Sequence, residues 1–136
     1  MSYGVAAALQ AAVFQKLASD SALTALVGSA VYDAVPPGGL PETYVSLGPE
    51  EARGRADATG AGALHIFTVS VVSSAAGFAG AKAAAGAISD ALVGAALPLA
   101  RGTLVGLTFE KARAKRVEDG DVRRIDLTFR ARVDDE

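Results

Sequence analysis

The side chains best suited to chemistry in this sequence of 136 residues are few and scattered. His65 is the only histidine; there is no Cys, and no carboxylate stands beside it in the chain. An imidazole that moves a proton or holds a metal needs a second polar group to orient it, so His65 reads as a structural or surface residue. Glu50 and Glu51 are adjacent carboxylates. Successive side chains point apart and the pair falls in a polar stretch, so solvation is expected rather than acid–base work. Gly77-Phe78-Ala79-Gly80-Ala81-Lys82 follows a strand pattern and opens a helix pattern, as a phosphate loop does. However, Ala81 separates Gly80 from Lys82, and Ala83 stands where the hydroxyl belongs. Its backbone amides retain at most a weak anion affinity. No Gly-x-Ser-x-Gly elbow and no Ser/His/Asp grouping is present. These residues point away from an enzyme and call for no cofactor and no metal.

Charge placement says more. Of 13 Lys and Arg, nine lie between Arg101 and Arg132 against five acids, while the rest of the chain holds four bases and ten acids. The formal net charge of −2 hides this asymmetry. Arg124, Arg130 and Arg132 fall in one phase of a strand pattern, and Lys111, Arg113, Lys115 and Arg116 crowd the segment before it. A solvated or subunit-facing surface, with cross-strand pairs to Glu110 and Asp126, is the first reading. A path for DNA is the alternative, through phosphate attraction rather than base recognition, because no aromatic residues interleave with the bases.

These residues need elements to position them. Leu64 to Leu97 reads as a strand, a turn and an Ala-rich helix: Phe67, Val69 and Val71 alternate with polar residues. Ala81, Ala85, Ile88, Leu92 and Ala95 then recur at helical spacing, and Pro98 ends the run. Upstream, Val5, Leu9, Val13 and Leu17 mark one helix. Asp20 and Ser21 cap a second, which Gly28 closes. Residues 31–35 and 44–47 read as short strands, stopped by Pro36-Pro37 and Gly48-Pro49. Residues 50–63 lack periodicity and are expected to form a mobile loop.

Residues 104–133 read as a hairpin turning at Glu118-Asp119-Gly120-Asp121. Ile125, Leu127, Phe129, Ala131 and Val133 alternate cleanly in its second arm. A two-residue turn sets Ala112 and Ala114 opposite Leu127 and Ile125 but leaves Phe109 out of phase, which predicts a β-bulge between Phe109 and Ala112. The expected fold class is α+β: a mostly antiparallel sheet with helices packed on one face and a long C-terminal β-hairpin, all in one domain over residues 1–136. The N-terminus lacks the basic start of a signal peptide, and the longest apolar run holds Asp90 and Pro98, so neither a leader nor a membrane span is expected.

Three segments together carry a family resemblance: Ala22-Leu23-Thr24-Ala25-Leu26-Val27-Gly28, Val31-Tyr32-Asp33-Ala34-Val35-Pro36, and Tyr44-Val45-Ser46-Leu47-Gly48 after Pro41. With Val69-Ser70-Val71-Val72-Ser73 and the closing Phe129-Arg130-Ala131-Arg132, the chain resembles the tail-completion or tail-terminator family of long-tailed phages and gene transfer agents. The resemblance implies a virion structural protein, assembled in the bacterial cytoplasm and located at the tail or neck of a phage-like particle. There a homo-oligomeric ring, commonly a hexamer, caps the tail tube and meets the head-side connector. A neck or head–tail connector component is the alternative, followed by a small ligand-binding or enzymatic domain. Contacts with tube, connector or neighbouring subunit are then expected at Glu50, Glu51, Arg53, Arg55 and Asp57, and at the hairpin tip with Glu118, Asp119 and Asp121. Arg124, Arg130 and Arg132 are candidates to face a lumen through which DNA passes without sequence preference. The bias of nine Arg to four Lys and the abundance of Ala suggest a GC-rich genome.

Overall fold

The computed structural model describes residues 3–54, 62–117 and 121–135. Helix α1 (Ala6–Ser19) buries Leu9, Val13 and Leu17 at the four-residue spacing that predicted it. Asp20 ends α1 and caps α2 (Ser21–Val27): its carboxylate accepts the Leu23 amide at 3.0 Å, and Gly28 at φ +63° closes the helix. The remaining elements are β1 (Val31–Tyr32), β2 (Thr43–Gly54), β3 (Gly62–Ser73), α3 (Ala79–Leu92), β4 (Thr103–Val117) and β5 (Val122–Asp134). They form one five-stranded sheet in the order β1-β2-β3-β5-β4, antiparallel except where β1 pairs with β2. All three helices share a core with one face of this sheet, so the architecture is the α+β arrangement expected.

Several boundaries differ from the sequence reading, each for a local reason. Strand β1 stops at Tyr32 rather than residue 35, because the Asp33 side chain turns aside to accept a hydrogen bond from Gln10 of α1. Gly48 and Pro49 do not end β2. They occupy a bulge between Leu47 and Glu50, where proline is tolerated because the ladder is already interrupted. The strand therefore runs on to Gly54, and residues 50–54 and 62–63 of the expected loop are paired strand. Arg55 and Asp57 lie outside the described residues. Helix α3 ends at Leu92 instead of reaching residue 97, since Val93 is extended and Gly94 turns at φ +73°. The Gly94 amide then donates to the Leu107 carbonyl at 3.0 Å, tying the end of α3 to β4.

The bulge expected in the hairpin is present. Phe109 sits opposite Phe129, the register shifts between Phe109 and Lys111, and Ala112 and Ala114 face Leu127 and Ile125. A second shift, between Leu104 and Gly106, had no sequence signal. Phe129 is fully buried, stacked on Phe67 at 5.6 Å between centroids and met edge-on by Phe109 at 6.0 Å. Where β4 begins, Gly102 (φ +76°) passes so close to β5 that a Cβ would lie 2.5 Å from the Asp134 carbonyl oxygen. Only glycine fits that turn.

Candidate assembly surfaces

The helices leave the opposite face of the sheet bare. Side chains alternate along each strand, and with Ile125, Leu127, Phe129, Ala131 and Val133 turned to the core, Arg124, Asp126, Thr128, Arg130 and Arg132 are turned away from it. The bulge in β4 keeps Lys111, Arg113 and Lys115 opposite Thr128, Asp126 and Arg124, so these three share the same outer face. Across the sheet, Arg53 of β2 lies opposite Leu64 on that face. Sequence reasoning set the basic residues of the two arms beside each other; the structure unites Lys111, Arg113, Lys115, Arg124, Arg130 and Arg132 with Arg53 on one surface.

This surface is partly neutralised in a defined order. Arg130 pairs with Glu110 at 2.9 Å, and Arg53 with Glu51 at 2.5 Å. Asp126 accepts from Arg124 Nε at 2.9 Å and from the hydroxyl of buried Ser70 at 2.6 Å, while Lys115 stands 4.0 Å away. Burial alone would raise the Asp126 carboxyl. The bonds from Ser70 and Arg124, with the charges of Arg124 and Lys115, outweigh it and hold the group below its ordinary value. Among the described residues, Lys111, Arg113 and Arg132 make no ion pair, so the face keeps an excess of positive charge. Arg116 and Arg123 fall in the opposite phase. Arg123 donates to the Ala75 carbonyl at 3.1 Å and lies 5.6 Å from the Phe78 ring centroid, a packing role.

On the helix side His65 has a structural placement, as expected, and one expectation, the solvation of Glu50, is corrected. His65 is fully buried, and it has a carboxylate partner that the sequence hid: its Nδ1 lies 2.9 Å from Glu50 Oε2. Glu50 is consequently not a solvated loop residue. The bulge after Leu47 aims it inward, where it also accepts from the Tyr3 hydroxyl at 2.6 Å, and the Tyr3 ring stacks over His65 at 6.1 Å. The hydrogen bond and negative charge of Glu50 raise the Tyr3 phenol above its ordinary value. His65 Nε2 is buried without a partner among the described residues. The trio fastens the N-terminal segment to β2 and β3. Among the described residues no three potential ligands gather into a metal cluster, and no helix is long and apolar enough to cross a membrane. Asp121 is exposed at the hairpin, whereas Glu118 and Asp119 lie outside the described residues.

An uncovered, basic sheet face is a surface on which other molecules can assemble. A family model described as tail completion protein gp17 matches residues 11–134. The chain belongs to the tail completion family. Membership makes it a structural component of a virion tail. Among solved structures, a chain of the virion of a native gene transfer agent particle is similar to it, with 67% identity and a TM-score of 0.93. That likeness covers 98% of this chain and 99% of the other. No curated protein matches it.

Proposed function

We propose that this tail completion protein is a tail terminator: copies form a closed ring, taken as a hexamer, that caps the finished tail tube and joins it to the head-side connector of a gene-transfer-agent-like particle. The observation carrying this reading is the near full-length likeness, at 67% identity, to a chain of a native gene transfer agent virion. Residues 1–136 act as one domain, and the work done is contact rather than catalysis.

Within such a ring the basic outer face is the surface suited to DNA. Arg124, Arg130 and Arg132, joined by Lys111 and Arg113, offer phosphate-seeking charge without a stacking platform, which lets a polyanion slide rather than stop. Glu51, Arg53 and Asp121 are exposed and serve as contacts with neighbouring proteins. Removing the gene and imaging the particles tests the reading. Tails that overrun their normal length and heads that stay unjoined are the expected result, with rescue by the intact gene. Particles that mature and deliver DNA normally would overturn it. Density for this chain at a neck ring away from the tube end would assign it to the connector instead.

A further inference from the structure

The sheet has two unlike edges. At one end β4 has no strand outside it among the described residues; the Gly94 amide meets its edge at Leu107, and beyond that, from Thr108 to Val117, the edge is open, with a gap between its inner side and α3. Phe109 is 44% exposed there, and Ala112 and Ala114 line an open groove of about 260 Å³ against α3. Lys111, Arg113, Lys115 and Arg116 make this edge basic. At the other end β1 covers only Val45 and Ser46 of β2, so among the described residues the stretch from Leu47 to Gly54 has no strand outside it. That edge exposes Asp33 and Glu51, the latter paired with Arg53, while Glu50 beside them is turned inward to His65 and Tyr3. Beside it the exposed Ala7 and Ala11 of α1 border a second groove, of about 540 Å³, with Phe14, Asp33 and Glu50.

Bulges and lysines often blunt an edge strand against aggregation, and β4 has both. That role explains the charges. It does not explain an uncovered Phe109 over an apolar groove, nor a complementary acidic edge on the far side of the same sheet.

We infer that β4 of one copy docks along the bare half of β2 of the next, and that the neighbour's α1 roofs the groove between β4 and α3. This rests on the ring reading and names the surfaces that build it. The contact joins two different patches, so it is heterologous, the kind that closes into a ring when the rotation allows. The fit has three parts. Basic meets acidic; a sheet edge lacking a partner meets another; and a helix surface of small residues meets an apolar groove lacking a helix. Edge-to-edge continuation also sets the basic faces of successive copies on the same side, which an edge-to-face contact would not do.

The absence of cysteine makes the test clean. A chain carrying both Arg113→Cys and Glu51→Cys is incorporated into particles and treated with a flexible bismaleimide. The expected result is a ladder of covalent multimers, with none from either single variant. A dimer from Arg113→Cys alone means β4 pairs with β4 and overturns the inference. No cross-link, in particles whose images still contain a ring of this chain, overturns the edge pairing while leaving the ring reading intact; particles with no such ring overturn both. Should the cysteine chain fail to enter particles, charge reversal decides. Arg113→Glu with Lys115→Glu in one chain, and Glu51→Lys in another, each reduce incorporation roughly tenfold, as expected from like-charge juxtaposition. Supplying both chains together restores it, and a mixture no better than either alone overturns the proposal.

Discussion

The two faces of the sheet are built from the same strands, residue by residue in alternation, yet they obey different rules. On the inner face Phe129 is held by Phe67 and Phe109, and Val69, Val71, Ile125 and Leu127 are sealed beneath the helices. On the outer face the best-connected group is a charged cluster, Arg124–Asp126–Ser70, with unpaired basic side chains around it among the described residues. A packed face holds its shape through apolar area and loses it through cavities. A charged face exposed to water contributes little to stability, and its composition is therefore open to selection for contact. Stability on one side and recognition on the other is the division expected of a subunit whose work is assembly.

The comparison breaks most visibly at its centre. Phe129→Ala removes the ring that both other aromatics touch and is expected to cost about 3–5 kcal/mol, seen in urea unfolding of the purified chain. A loss below about 1 kcal/mol would mean that the inner face does not carry the stability assigned to it.

What was legible in the sequence follows the same division. Strand alternation in Ile125-to-Val133 and the helical spacing of Leu9, Val13 and Leu17 were readable because burial imposes a period. The bulge at Phe109 was readable because a turn fixes register and the apolar phase then fails to close without an extra residue. The continuation of β2 past Gly48-Pro49 was not readable: local chemistry says stop, and only pairing with β3 on the far side says continue. The Glu50–His65 contact was hidden for the same reason, since a bulge decides which way Glu50 points and β3 decides what it meets. The outer face was half visible. Its charges were plain in the composition, but the union of Arg53 with Arg132 and Arg113 depends on strand order, which carries no local signal.

Reversing charge on the outer face gives the opposite pattern from Phe129→Ala. Arg130→Glu with Arg132→Glu breaks one exposed pair with Glu110 and alters a side chain unpaired among the described residues. Stability should move by less than about 1 kcal/mol. On the proposed DNA path, particle yield or DNA delivery should fall on the order of tenfold, because a polyanion there would meet repulsion. Equal losses in stability and delivery would erase the distinction between the faces, and unchanged delivery would remove DNA from this one.

The smallest effect sits where the two faces share a residue. Ser70 belongs to the outer phase of β3 yet is fully buried, and Asp126 is the acceptor that satisfies it. The Asp126 carboxyl is held below its unfolded value of 3.8, so ionisation favours the folded chain. The sign follows from that depression: the contribution is complete above the unfolded value and is lost as pH falls through the folded one. Because the carboxylate remains partly exposed, screening limits the contribution to less than about 1 kcal/mol. Asp126→Asn keeps the shape and an acceptor for Ser70 while removing the charge. The stability difference between parent and variant should therefore be constant from about pH 7 to 5 and shrink as the pH drops below about 4. A gap that stays constant into acid would mean that the cluster acts through shape alone, and that even at Ser70 the outer face draws no stability from charge.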